Sequence, residues 1–161
     1  MDPLTAALQK QKKERSEVHA ALQLEKLGYI ARMMKLCDLV KGWLAEQAQE
    51  GLVTLADSNE IVENDKAFGS YMAPGLTVVL NASMRMRLMP MGCGVPSTGK
   101  GKAWLIFDGF RQGGNGHLEI MALSDEEWVF PGMATRAGKS PSVPLTKDRL
   151  HQVLAEKIQE G

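Results

Sequence analysis

Cys93 and His117 are the residues of this 161-residue chain whose types and placement suit covalent chemistry. A thiol kept deprotonated by an imidazole attacks a carbonyl carbon, and the protonated ring then delivers a proton to the leaving group. Both residues fall at ends of candidate strands that flank Ala103 to Phe107. An antiparallel arrangement is therefore expected to set them side by side, with Asp108, Asn115 or Glu119 orienting the ring. The plainer reading is a small, partly buried cysteine and a histidine that caps a turn.

A second pattern lies next to the cysteine. Gly94 to Lys100 reads G-x-x-x-x-G-K, the start of a phosphate-binding loop. Such a loop needs a helix behind it and a Ser or Thr after the lysine to reach magnesium. Here Gly101 follows Lys100, and the residues beyond, Lys102 to Phe107, read as a strand that ends at the turn signal Asp108-Gly109. Both requirements are missing, so the stretch is expected to be a long hairpin connection rather than a nucleotide site.

That connection is basic. Between Ala82 and His117 stand Arg85, Arg87, Lys100, Lys102 and Arg111 against Asp108 alone. If 83–89 is a strand, alternation puts Arg85 and Arg87 on one face and Met84, Met86 and Leu88 on the core face. With Trp104 close by, these cations supply the ingredients of a single-strand nucleic-acid surface, charges for phosphates and a ring for stacking. A solvated sheet face with Trp104 in the core is the competing expectation.

No metal or cofactor is implied. His19, His117 and His151 lie in separate elements, and neither Cys37 nor Cys93 has a second ligand at metal-binding spacing. Glu126 and Glu127 are adjacent, so on a strand they point to opposite faces.

The elements that must position these residues are read from periodicity. Asp2-Pro3 has the form of a helix cap with proline at the first helical position, and no proline follows through residue 50, so 1–50 is expected to be helical. Within it Ile30, Met33, Cys37, Val40 and Leu44 alternate by three and four residues. Such a stripe packs on the chain's own sheet or pairs with a second copy as a homodimer. Residues 57–75 gather Asp, Asn, Ser, Gly and Pro and read as a polar connection. Four or five antiparallel strands are expected across 76–130, and a last helix over 146–159 with Thr146 as its cap. Helices segregated from a run of strands make one α+β domain spanning 1–161.

Leu105 to Asp108 with Gly113 to His117 is similar to the strand-Asp-Gly-Gly-x-x-His segment of the bacterial chemoreceptor glutamine deamidases, over about a dozen residues. The resemblance implies a Cys–His amidase. In that family the cysteine stands about seven residues before the aspartate, a position held here by Gly101, while Cys93 stands farther upstream.

Nineteen basic and nineteen acidic residues cancel, so no global charge favours nucleic acid or an acidic membrane. Two cysteines are too few for a disulfide framework, the amino-terminal stretch lacks the apolar core of a secretory signal, and no apolar run is long enough to span a bilayer. A cytoplasmic setting without membrane contact is the expectation. Four of the ten methionines, Met84, Met86, Met89 and Met91, fall within 84–91, and Met89 and Met91 are suited to an interface. The function expected on this basis is a non-catalytic interaction or assembly protein that self-associates through its helix, with a protein or nucleic-acid partner met by the glycine-rich loop. The alternative is a small thiol enzyme using Cys93 and His117.

Overall fold

The computed structural model describes residues 2–65, 68–81, 83–93, 100–110, 116–132, 134–136, 138–139 and 141–160. It opens with α1, Pro3–Trp43, capped by Asp2, whose Oδ1 accepts from the Leu4 amide. The apolar stripe that the sequence displays is the side of α1 that enters the core: Tyr29, Met33, Leu36, Cys37 and Val40 are all buried, at helical spacing. Leu44 caps α1 and is buried as well. Self-association through Ile30, Met33, Cys37, Val40 and Leu44 is therefore corrected, because four of the five are spent on this chain's own sheet and Ile30 packs against them. Residues 2–21, by contrast, touch no core, and every one is exposed.

After a short helix, α2 (Ala45–Gln49), come β1 (Thr54–Asp65), β2 (Gly69–Val79), β3 (Arg85–Gly92), β4 (Lys102–Asp108), β5 (Gly116–Ala122) and β6 (Trp128–Phe130). Two-residue strands follow: β7 (Ala134–Thr135) and β8 (Gly138–Lys139) pair with each other, and β9 (Val143–Pro144) pairs with β6. The main sheet is antiparallel throughout and runs β1-β2-β3-β4-β5-β6-β9, seven strands rather than four or five. Helix α3, Lys147–Glu160, closes the chain, with Thr146 Oγ1 accepting from the Arg149 amide. The α+β expectation holds.

The expectation of a polar connection over 57–75 does not, since those residues form most of the β1–β2 hairpin, paired from Thr54↔Val79 to Val62↔Tyr71. β1 is the edge of the sheet, where charged side chains are tolerated and discourage pairing with other chains. Pro74 is compatible with β2 because β3 pairs with β2 only over Leu76 to Val79, leaving the strand a single neighbour at the proline.

Both long helices lie on one side of the sheet. Leu76, Val78, Met86, Leu88, Ala103, Leu105, Phe107 and Ile120 point inward and pack with the α1 stripe and with Leu150 and Leu154 of α3. His151 Nε2 lies 2.7 Å from the Trp43 carbonyl and ties α3 to the end of α1. The side chains between the inward ones, Arg85, Arg87, Met89, Lys102, Trp104, Ile106 and His117 among them, form an outer face that no described helix covers.

Candidate nucleic-acid interface

The outer face of β3, β4 and β5 has a defined layout. Strand β3 alternates as expected, with Met86 and Leu88 buried and Arg85 and Arg87 outward. Register places Met89, Trp104 and Glu119 in one row across the strands, Arg87, Ile106 and His117 in the next, and Arg85 beside Asp108 beyond them. At about 3.3 Å per residue, the cations from Lys102 to the Asp108–Arg85 row span about 20 Å.

Trp104 is not a core residue. It stands half-exposed, and its ring stacks on that of His117, centroids 3.8 Å apart and planes inclined by 15°. The two residues are diagonal neighbours on adjacent antiparallel strands, close enough for large rings to meet. An open depression of about 430 Å³ lies against this stack, with Ile106, Asp108 and Gly116 also in its walls. Two ion pairs set the surrounding cations: Arg87 Nε to Asp108 at 2.8 Å and Lys102 Nζ to Glu119 at 3.2 Å. Arg87 uses only Nε there, so its terminal nitrogens stay available, and Arg85 is exposed with no ion-pair partner among the described residues.

The glycine-rich loop springs from one end of this face, and its interior, 94–99, lies outside the described residues, as does Arg111. Its two stems are held by residues that the sequence did not single out. Tyr29 of α1 donates to the Lys102 carbonyl at 2.6 Å and accepts from the Met91 and Gly92 amides, both at 3.0 Å. Arg32, one turn on, donates from Nε to the Lys100 carbonyl and from Nη1 to Asp125 in the turn after β5. Asp65, at the end of β1, accepts at Oδ2 from Tyr71 (2.5 Å) and from the Cys93 amide (2.7 Å). Gly101 makes room for this clamp: its φ is +118°, and a Cβ there would overlap the Tyr29 ring. The available signal was the pair of glycines bracketing the loop, Gly92 and Gly101, both in the positive-φ region.

Cys93 and His117 are not brought together. Gly92 is opposite Lys102 at the start of β4, whereas His117 is opposite Ile106 near its end. Four residue steps, about 13 Å, and two interstrand steps of about 4.8 Å separate them. The thiol is also on the other side of the sheet, buried, with Tyr71 Oη 3.4 Å from Sγ. Burial pushes its pKa up to about 11, with Asp65 adding to the shift against the opposing Tyr71 hydrogen bond and Arg32 charge. Cys37 is pushed up to about 12, chiefly by burial. Of the groups expected to orient the ring, Asp108 and Glu119 are engaged by Arg87 and Lys102, and Asn115 lies outside the described residues. The Cys93–His117 dyad is corrected accordingly.

Among the described residues no group of three or more His, Cys, Asp or Glu side chains is placed to hold a metal ion, and no helix is long and apolar enough to cross a membrane. Comparison with protein-family models, with curated proteins and with solved structures finds no match for this chain.

Proposed function

We propose that this chain is a non-catalytic binding protein that receives single-stranded nucleic acid on the open face of its sheet. The observation that carries the proposal is the Trp104–His117 stack on the central strands of a face that no described helix covers. A base laid on the more exposed His117 ring extends that stack. Arg85, Arg87 and Lys102 flank it in neighbouring rows of the same face, and Lys100 stands where the glycine-rich loop rejoins β4. Met89 and Ile106, half-buried beside the rings, give the sugar and base edges an apolar floor. Stacking on aromatic rings with cations along the backbone is tolerant of sequence, so little base preference is expected.

The test is fluorescence anisotropy of a labelled thymidine oligonucleotide with the full chain. Trp104→Ala is expected to weaken binding about 5- to 150-fold, the equivalent of ~1–3 kcal/mol per stacked base. Four phosphate contacts give a logarithmic salt slope of roughly −3 on a single strand. An unchanged affinity for Trp104→Ala, or no binding at about 50 mM salt, sinks the proposal.

A further inference from the structure

Helix α1 carries two apolar stripes, and the sheet accounts for one. The second, Ala20, Leu24, Leu27, Ala31 and Met34, recurs at steps of four and three residues along a different side of the helix. At about 100° per residue, Leu27 lies some 160° around the helix from Tyr29, so this stripe faces away from the sheet. Its large members are bare: Leu24 is 71% exposed, Leu27 56% and Met34 51%. From Pro3 to Ala21 the helix continues with every residue exposed, a projection of roughly 28 Å at 1.5 Å per residue. In proteins, helices owe most of their stability to the packing of an apolar face, and this face has no partner in the single copy.

We infer that α1 pairs antiparallel with α1 of a second copy of this chain, through Leu24, Leu27, Ala31 and Met34. Charge selects both the occupant and its direction. Residues 3–37 hold seven basic and three acidic side chains, and residues 38–50, which end the helical segment, hold three acidic and one basic. An antiparallel pair centred midway between Leu27 and Ala31, with Leu24 opposite Met34, sets Lys12 opposite Glu46 and lays the Lys10, Lys12 and Lys13 arm of each copy along the Glu46 and Glu50 end of the other. A parallel pair would stack the basic arms on each other, at a cost from like-charge repulsion. The spacing by fours and threes is that of a two-stranded seam, and alanine at positions 20 and 31 lets the helices approach closely. The seam differs from the buried stripe and lies across α1 from the sheet, so the outer sheet face stays open in the dimer. This pairing does not rest on the nucleic-acid proposal.

Light scattering of the full chain at micromolar concentration is expected to give twice the 17.6 kDa chain mass. Leu24→Asp with Leu27→Asp should return the monomer with the far-UV signal of the folded body retained, since both side chains are exposed in the single copy. Reversing Lys10, Lys12 and Lys13 to Glu should weaken the dimer about tenfold at low salt, from several surface ion pairs lost twice over by symmetry. A monomeric wild type, or a dimer indifferent to the aspartate pair, overturns the pairing. A dimer tightened by the charge reversal overturns its antiparallel direction.

Discussion

Tyr29→Phe removes one oxygen atom and, with it, the clamp on both stems of the glycine-rich loop. The ring keeps its place and nearly all its volume, so no cavity term arises. What is lost is a donated bond to the Lys102 carbonyl and two accepted bonds from the Met91 and Gly92 amides. The Gly92 contact is fully buried, and the other two are partly so. A buried group left without a partner costs ~1–3 kcal/mol, and a partly wetted one nearer ~1 kcal/mol. Together they amount to about 3–5 kcal/mol, or about 6–20 °C in Tm for a chain of this size. Urea unfolding at constant m-value reads the loss directly. Native-state hydrogen exchange should place it, with the Met91 and Gly92 amides losing protection far more than those of β5. A change below about 0.5 kcal/mol, the scale of an ordinary surface substitution, would falsify the clamp as a structural device.

Three further outcomes follow from the same geometry. Gly101→Ala combines a positive φ with overlap onto the Tyr29 ring, so a destabilisation of at least ~2 kcal/mol in urea unfolding is expected, and a neutral result contradicts the close approach. With its pKa raised from 9.0 to about 11, Cys93 holds about one hundredth the thiolate of an ordinary cysteine near neutral pH. Iodoacetamide should therefore alkylate it about 100-fold faster after unfolding, and fast labelling of the native chain would restore the nucleophile. Since both thiols keep their protons longer when folded, their contribution to stability is fully present below about pH 9 and drains away as the pH climbs toward 11 and 12. Guanidinium melts at increasing pH should show that decline, and Cys93→Ala with Cys37→Ala should flatten its slope.

Much of the architecture was legible because it rests on local chemistry. Asp2-Pro3 opens α1, Thr146 caps α3, and the alternation of Arg85 and Arg87 with Met86 and Leu88 assigns the faces of β3. What escaped rests on pairing. Asp57 and Asn59 carry no strand signature of their own, and the ladder to β2 holds them extended at an edge where water reaches them. The Cys93–His117 pairing failed for a reason of topology. In an antiparallel meander the β3–β4 connection and the β4–β5 connection lie at opposite ends of β4, and Cys93 borders the first while His117 borders the second. The clamp was hidden because Tyr29, Asp65 and Lys102 come from three separate elements, and nothing in their spacing announces a shared partner.

The same topology explains why the outer face holds rings and cations rather than a second core. A sheet covered by helices on one side must leave the alternate residues of every strand to water, and there the usual content is short and polar. Trp104, Ile106, Met89 and Met121 break that pattern in the middle of the face, where four neighbouring half-buried apolar side chains forgo burial that a third layer would have given. Their placement beside Arg85 and Arg87 suits the proposed ligand, which has apolar faces and a charged backbone. The loop stems fit the same logic. Lys100 and Lys102 sit at the rim, and Tyr29 and Arg32 fix the backbone beneath them to α1, so the cations at that edge are anchored to the stretch of α1 that packs into the core. A cation preorganised by a buried tyrosine loses less conformational freedom on meeting phosphate than one on a free loop. On that account Tyr29→Phe should weaken oligonucleotide binding even though its hydroxyl lies on the far side of the sheet from the bound strand.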